Sequence, residues 1–254
     1  MKALILAAGY ATRLRPLTDT WAKELLPVGG RPIIDRIVDG IAEVPGVGEV
    51  HVVTNARKAP MFREWARGRE VTIHDDGTTS NEDRLGAIGD MLFVIESAQI
   101  DDDLLVIAGD NLFEFRLADF VAFWAGKEGA SAVAVRDVGS LELASHYGVV
   151  DLADDGRIQS FVEKPADPTS SLAATATYLF HREHARLLAD YLAGEHGSDQ
   201  PGRFVGWLRR HEPVYGWAFE GDWFDIGNRE QLLEADNRLR TRAGLPAREV
   251  YEPD

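Results

Sequence analysis

Four short apolar runs constrain the fold of this chain more than any other feature. They cover residues 2–6, 49–54, 104–108 and 131–135, and each shows little alternation between polar and apolar side chains. Near-continuous apolarity is typical of strands that are buried on both faces of a parallel sheet. The runs therefore predict a sheet with helices packed on both sides.

Amphipathic helices are predicted between and after these runs. Pro32 suits the first turn of a helix, and apolar residues follow it at helical spacing: Ile33, Ile34, Ile37, Val38 and Ile41. Similar stripes occupy residues 117–124 and 187–192. Asn228 and Gln231 resemble a capping box for a last helix that runs to about residue 242. Strands that alternate with helices predict a three-layer α/β/α sandwich.

The second half of the chain has a different pattern. Residues 147–152 and 157–162 flank Asp154-Asp155-Gly156, which is typical of a hairpin turn. We expect antiparallel strands to be added there to a mostly parallel sheet. No repeat or linker divides the sequence, so residues 1–254 are predicted to form a single domain.

Composition excludes several functional classes. The net charge of −15 argues against broad nucleic-acid binding, which requires a basic surface, although a local pocket can still hold a small anion. The absence of cysteine excludes disulfides, thiolate zinc sites and cysteine nucleophiles. The apolar start at residues 3–8 is too short for a signal peptide or a membrane span. We therefore expect a cytoplasmic protein that does not associate with membranes.

The first run leads into a loop that suits phosphate binding. Residues 2–6 are followed by Ala7-Ala8-Gly9 and then by Arg13. Small residues allow a ligand to approach the backbone N–H groups, and Arg13 and Lys23 supply positive charge. The loop alone is common in α/β proteins. It matches neither a dinucleotide fingerprint nor a Walker A loop.

Residues 6–27 as a whole are far more specific. Their order resembles the signature of the sugar-1-phosphate nucleotidyltransferase family: Leu-Ala-Ala-Gly, Thr-Arg-Leu, Pro-Leu-Thr and Lys-x-Leu-Leu-Pro-Val. Later segments at 105–111, 147–150, 161–165 and 223–227 follow in the family's order, so the resemblance covers about residues 1–237. Ala11 replaces a usual glycine. If position 11 needs a positive φ, alanine there costs roughly 1–2 kcal/mol.

The resemblance implies a Rossmann-like nucleotidyltransferase fold and a role for each site residue. Residues 1–146 would bind the nucleotide, 147–237 the sugar phosphate, and 238–254 would form a C-terminal tail. Asp110 and Asp225 would hold Mg²⁺, and Arg13 and Lys23 would neutralise the triphosphate during catalysis. The nucleotide would contact Leu6, Ala7, Ala8, Gly9, Asn81 and Gly86. The sugar phosphate would contact Gly148, Glu163 and Lys164.

Two positions depart from the family's pattern near the substrates. Asn81 and Gly86 keep the spacing of the family's base-binding Gln and Gly, but Asn is shorter than Gln. Residues 81–87 can equally be a helix cap. Ala176 replaces a frequent glycine near the sugar, so the resemblance leaves the sugar open. The seven histidines form no cluster with the spacing of metal ligands.

The predicted reaction transfers a nucleotidyl group from a nucleoside triphosphate, dTTP or UTP, to a sugar 1-phosphate such as glucose 1-phosphate, with release of pyrophosphate. Two alternatives stay open: a cytidylyltransferase acting on phosphocholine or a polyol phosphate, and a non-catalytic regulatory subunit of the same fold. The sequence also leaves open whether the protein forms a homo-oligomer. A glycosyltransferase is disfavoured, because Asp101-Asp102-Asp103 precedes its strand and does not follow it.

Overall fold

A computed structural model of the chain describes residues 1–194 and 196–253. The strands are β1 (Lys2–Ala7), β2 (Pro27–Val28), β3 (Arg31–Pro32), β4 (Glu49–Thr54), β5 (Thr72–Asp75), β6 (Leu104–Ala108), β7 (Asn111–Phe113), β8 (Ser131–Asp137), β9 (Gly148–Leu152), β10 (Ile158–Glu163), β11 (Leu172–Phe180), β12 (Val214–Phe219) and β13 (Trp223–Asp225). The helices are α1 (Leu17–Thr20), α2 (Ile33–Ala42), α3 (Ala59–Trp65), α4 (Ala87–Ser97), α5 (Leu117–Ala125), α6 (Leu141–Ala144), α7 (Arg182–Ala193), α8 (Pro201–Leu208) and α9 (Arg229–Arg242). Short 3₁₀ turns lie at Thr12–Leu14 and Lys23–Leu25.

Within the described part of the chain, nine strands form the main sheet. Its parallel region contains β1 between β4 and β6, with β5 beyond β4. Strand β11 pairs antiparallel with β6, β8 and β9, and β9 and β10 form the predicted hairpin. Strand β12 runs parallel to β8. The sheet thus has the predicted parallel region with antiparallel additions from the second half.

Side chains of β1 alternate between two hydrophobic cores. Leu4 packs with residues of α4, α7 and α8, whereas Ala3 and Ile5 pack with residues of α2, α3 and α5. All three β1 side chains are fully buried. Because helices cover both faces of the sheet, the three-layer α/β/α prediction is confirmed.

The ends of two helices test the local predictions. Pro32 lies at the N-cap of α2, with φ −50° and ψ 141°, and not in the first helical turn as predicted. The reason is that Arg31 and Pro32 pair with β2 in a small ladder, so the helix begins one residue later. At α9, Asn228 Oδ1 accepts the Gln231 backbone N–H at 2.9 Å, as the capping box predicts.

Residues after α9 fold back onto the first half of the chain. The helix extends to Arg242, so the tail predicted from residue 238 begins inside it. Asn237 and Arg248 exchange two hydrogen bonds, and the buried Tyr251 donates from its hydroxyl to Pro27 O at 2.8 Å. Asp254, the last residue of the predicted tail, lies outside the described residues.

The two predicted halves share one sheet, because β6 from the first half pairs with β11 from the second. The boundary near residue 146 therefore falls between strands of a common sheet. Within residues 1–194 and 196–253, no helix combines the length and apolar character needed to cross a membrane.

Candidate functional site

The site lies where the strand order changes direction. Strand β1 is flanked by β4 and β6, and all three run in the same direction, so their carboxyl ends meet at one edge of the sheet. Ligands of open α/β sheets bind at such a switch point. The loop after β1, Asn55 after β4 and Asp110 after β6 all emerge there.

The predicted phosphate loop follows β1, and two side chains donate hydrogen bonds to its backbone carbonyl groups. Asn55 Nδ2 donates to Ala8 O at 2.9 Å, and Thr18 Oγ1 donates to Ala11 O at 2.9 Å. A Cβ at the exposed Gly9 would meet nothing within 4 Å, so the space beside this backbone is open. Ala11 has φ 46° and ψ 42°, the left-handed conformation for which alanine is costly.

Lys23 and Asp110, predicted from separate segments, are in direct contact. Lys23 Nζ donates to Asp110 Oδ2, and Asn111 Nδ2 donates to Asp110 Oδ1 at 3.1 Å. Trp223 Nε1 in turn donates to Asn111 Oδ1 at 2.5 Å. Burial lowers the pKa of Lys23, but Asp110 and other nearby carboxylates more than compensate, so its pKa is raised overall. Lys23 is therefore a fixed positive charge at this site.

Asp225 reaches the same place from the other end of the chain. Strand β13 pairs with β7, and the register sets Asp225 opposite Asn111, the neighbour of Asp110. Burial and, after it, the charge of Asp110 raise the pKa of Asp225 to about 6, although Lys23, Lys164 and Arg13 act in the opposite direction. Four of the predicted site residues are therefore close enough to Asp225 to shift its pKa.

Arg13 stands on the 3₁₀ turn beside the loop after β13. A Cβ at Gly227 would lie 3.1 Å from Arg13 Nη2, so glycine at 227 leaves room for the guanidinium. The Arg13 side chain is exposed. It is therefore positioned to meet an anion that arrives from solvent.

Asp110 and Asp225 fit a divalent cation only in part. Carboxylate oxygens suit a hard dication. Within the described segments, however, no group of three or more His, Asp or Glu residues is arranged to hold a metal ion. A cation bound here would need further oxygen ligands from a bound phosphate or from water.

A cavity of about 230 Å³ adjoins the two aspartates on the side of the second half. Its lining includes Asp110, Tyr147, Gly148, Glu163, Lys164 and Asp225. Gly148 and Glu163 are paired in the β9–β10 ladder. Lys164 follows β10 with φ 47°, and its backbone N–H donates to Tyr147 O at 3.0 Å. We call this space the acceptor cavity.

Two glycines surround the Glu163 carboxylate. A Cβ at Gly148 would lie 3.1 Å from Glu163 Oε2 and 2.6 Å from Phe161, and a Cβ at Gly202 would lie 2.2 Å from Glu163 Oε2. Glycine at 148 therefore makes room for Phe161 and Glu163, and it also lines the acceptor cavity. Burial raises the pKa of Glu163, although Lys164 and Arg203 lower it.

The two residues of the predicted base pocket lie in the segment before α4. Asn81 is exposed, and its carbonyl oxygen accepts from Arg84 Nη1 at 2.5 Å. Gly86 is the N-cap of α4, with φ 78°, and a Cβ there would lie 2.7 Å from the backbone of Ser198. Close packing against Ser198 explains the glycine, and Asn81 does not cap the helix.

Several residues at the site were missed by sequence reasoning. Asn55 supports the phosphate loop, Tyr10 joins it to Thr78 by a 3.0 Å hydrogen bond, and Glu24 is buried beneath Gly109. Burial raises the pKa of Glu24 to about 7, with Lys23 acting against the shift. Asn55 directly follows the apolar strand β4, and a polar residue at the end of such a strand is a sequence signal that could have identified it.

Fold and site together define a Rossmann-like α/β protein with a charged cluster at the switch point of its sheet. Residues 2–242 match the family described as Nucleotidyl transferase. The chain therefore belongs to the nucleotidyl transferase family.

Individual relatives agree with this assignment. The chain is 28% identical to the bifunctional protein GlmU of Methanocaldococcus jannaschii over 94% of its own length, but it spans only 54% of that relative. It is 30% identical to the UTP–glucose-1-phosphate uridylyltransferase AglF of Haloferax volcanii, covering 94% of this chain and 97% of AglF. A UDP-glucose pyrophosphorylase solved with UDP-glucose has a TM-score of 0.80 at 23% identity, covering 95% and 98% of the two chains, which supports the fold.

Proposed function

We propose that this protein transfers a nucleotidyl group from UTP or dTTP to a sugar 1-phosphate, with glucose 1-phosphate as the first candidate, and releases pyrophosphate. One observation carries the proposal: Lys23 contacts Asp110, and Asp110, Lys164 and Asp225 line one cavity, although these residues come from distant parts of the chain. AglF is named as a UTP–glucose-1-phosphate uridylyltransferase, and this chain aligns with nearly the whole length of AglF. This similarity supports the choice of UTP and glucose 1-phosphate.

The arrangement suits an in-line displacement. An oxygen of the sugar phosphate would attack the α-phosphorus of the triphosphate, a new P–O bond would form, and the bond to the β-phosphate oxygen would break. The attacking phosphate is already ionised, so no general base is required. The protein supplies positioning and charge neutralisation. Arg13 and Lys23 would hold the leaving phosphates, and Lys164 would orient the attacking phosphate.

Mg²⁺ is the proposed cofactor, with Asp110 and Asp225 as its protein ligands. When bound, it would neutralise charge on the phosphate oxygens of the triphosphate. The fixed hydrogen bonds from Lys23 and Asn111 keep the Asp110 carboxylate oriented toward the site before the triphosphate arrives. Arg13, Lys23 and Lys164 complete the neutralisation of a substrate that carries several negative charges.

A choline phosphate acceptor is the second candidate, because the acceptor cavity contains an aromatic pair. Tyr147 and Trp223 are edge-to-face with ring centroids 4.8 Å apart, and the carboxylates of Glu163 and Asp225 line the same cavity. Aromatic faces and carboxylates together can hold a quaternary ammonium group. CTP would be the donor in that reaction.

Pyrophosphate release tests both candidates. The protein, Mg²⁺ and each of dTTP, UTP, CTP, GTP and ATP would be combined with glucose 1-phosphate and, separately, with choline phosphate. Release with glucose 1-phosphate and UTP or dTTP is the expected result. Release only with CTP and choline phosphate would replace the first candidate with the second. No release with any of these pairs, or with a wider panel of phosphorylated acceptors, would contradict a catalytic role.

A further inference from the structure

Two loops from different halves of the chain meet beside the site. The first, which we call the donor loop, spans residues 76–86 between β5 and α4. The second, the acceptor loop, spans residues 197–200 before α8. Arg84 Nε donates to Asp199 Oδ1 at 2.9 Å, and Arg84 Nη2 donates to Asp199 Oδ2 at 2.5 Å. A bidentate pair of this kind fixes orientation as well as distance.

The contact between the loops continues along the backbone. Ile88 N, in the first turn of α4, donates to Ser198 O at 2.8 Å. Gly86 packs so closely on Ser198 that a Cβ would lie 2.7 Å from its backbone. The two loops are therefore in contact through both backbone and side chains, and the exposed Arg84–Asp199 pair is the side-chain part of this contact.

Each loop also reaches one side of the site. On the donor side, Thr78 Oγ1 accepts from Tyr10, which follows Gly9 in the phosphate loop. On the acceptor side, Asp199 and Gln200 line the acceptor cavity together with Glu163. The Arg84–Asp199 pair thus connects the two sets of contacts through side chains.

The solvent exposure of Arg84 and Asp199 limits what their ion pair can contribute to the stability of the fold. Side-chain exposure is 39% for Arg84 and 51% for Asp199. Exposed ion pairs contribute little to the free energy of unfolding. An exposed pair can still fix the position of one loop relative to another. If the pair is formed to different extents in the free and ligand-bound protein, it couples the binding of one ligand to the binding of the other.

We propose that Arg84 and Asp199 are positioning residues that join the donor loop to the acceptor loop, so that binding of the triphosphate favours binding of the sugar phosphate. The proposal rests on the proposed function for the identity of the two ligands. Neither side chain needs to touch the reacting atoms. The pair acts by holding the two loops in the arrangement that both ligands use.

Hydrogen–deuterium exchange of the unliganded protein is the first test. In Arg84→Gln and Asp199→Asn, amides in both 80–84 and 197–200 should exchange faster than in the wild type, with unfolding temperatures nearly unchanged. Arg186 and Asp101 provide a matched control, because they form another exposed pair with a 2.5 Å contact, at the amino end of β6. Arg186→Gln should leave both loops unaffected. Unchanged exchange of the acceptor loop in Arg84→Gln would overturn the proposal.

Initial rates over a matrix of UTP and glucose 1-phosphate concentrations provide the second test. In the wild type, saturating glucose 1-phosphate should lower the KM for UTP about five-fold or more. In Arg84→Gln and Asp199→Asn, this fold decrease in KM should approach one. The double variant should show the same fold decrease as either single variant. The charge-reversed variant, Arg84→Asp with Asp199→Arg, should recover part of the wild-type fold decrease. A factor of one in the wild type, or an undiminished factor in the single variants, would overturn the coupling. If the wild type has no activity with any acceptor, the proposed function fails, and the exchange measurement still decides whether the pair joins the loops.

Discussion

Both carboxylate oxygens of Asp110 accept hydrogen bonds at the site. Lys23 and Asn111 each donate to one of its carboxylate oxygens, and its charge raises the pKa of Asp225. Removing its charge would leave Lys23 without its charged partner and would weaken the proposed cation site, for which Asp110 and Asp225 are the proposed protein ligands. Asp110 therefore links Lys23, Asn111 and Asp225 within the charged cluster.

We therefore expect Asp110→Asn to lower kcat for pyrophosphate release by about 10²–10³-fold, the usual cost of losing one preorganised electrostatic group. Asp101→Asn is a suitable control, because Asp101 is exposed before the opposite end of β6. Equal activity of Asp110→Asn and the wild type would remove Asp110 from the proposed site.

Ala176 has an unfavourable backbone conformation inside a strand. Its φ is 52°, and the pairing of β11 with β8 is irregular between Ala174 and Tyr178. A left-handed conformation costs a non-glycine residue about 1–2 kcal/mol, whereas glycine loses about 0.5–1 kcal/mol more chain entropy than alanine on folding. The two effects leave a small net advantage for glycine at this position.

Ala176→Gly should therefore increase the free energy of unfolding by roughly 0.5–1 kcal/mol in urea denaturation. Ala174→Gly is the matched control two residues earlier in the same strand, where φ is not positive, and it should decrease stability. A loss of stability in both variants would show that the conformation of Ala176 is not strained.

At the scale of elements, a buried carboxyl group lies at the start of α4. Asp90 is 6% exposed and faces Asp76, which follows β5. Burial raises the pKa of Asp90 to about 8, and the charge of Asp76 contributes to the shift. The folded protein therefore keeps this proton up to about pH 8, while an unfolded chain releases it near pH 4. The stabilisation is complete below pH 4 and is lost as the pH rises toward 8 and above.

Asp90→Asn should remove this pH dependence, because the amide cannot ionise. We expect the variant to gain stability relative to the wild type as the pH is raised from 5 to 8, by an amount on the order of a few kcal/mol. Unfolding temperatures across this range would measure the gain. Asp75→Asn, at the end of β5, should follow the wild-type slope, and a constant difference between Asp90→Asn and the wild type would contradict the account.

Sequence patterns predicted the elements of this fold better than the contacts between them. The four apolar runs became β1, β4, β6 and the start of β8, because burial on both faces of a sheet leaves a clear local signal. The meeting of Asp110 with Asp225 has no local signal. It depends on the β7–β13 ladder between segments over one hundred residues apart, and only the family resemblance pointed to it.

The reasons for individual glycines were equally hidden. Contact of Gly86 and Gly148 with the substrates stays a prediction, but the structure gives each glycine a packing reason: Gly86 lies against Ser198, and Gly148 lies against Phe161 and Glu163. Such close approaches are made by parts of the chain that are distant in sequence. A glycine in one segment therefore does not reveal which neighbour requires it.

At the scale of the whole molecule, residues after α9 pack against the segment that contains Arg13 and Lys23. Tyr251 is 7% exposed, belongs to the cluster that contains Leu14, Leu26 and Ile226, and donates to Pro27 O. This cluster lies under both the 3₁₀ turn of Arg13 and the segment of Lys23. Packing at the tail is thereby linked to the positions of two charged site residues.

Tyr251→Ala should cost about 3–5 kcal/mol of unfolding free energy, the range for deleting a large buried aromatic side chain, whereas Tyr251→Phe should cost about 1 kcal/mol for the lost hydrogen bond. Val250→Ala is the control, since Val250 is 69% exposed and its truncation should have almost no effect. Chemical denaturation of the three variants would test this order. Equal stability of Tyr251→Ala and Val250→Ala would show that the tail is not held by its tyrosine.

The contact between the donor and acceptor loops has a consequence for recombination between relatives. A chimera that exchanges residues 147–237 for those of another family member would bring a new acceptor cavity onto an existing phosphate loop. Position 199 would arrive with the insert, while position 84 would stay with the host. Functional exchange would then require the two positions to be inherited together, so a library of such chimeras should be enriched for active members that carry a matched pair.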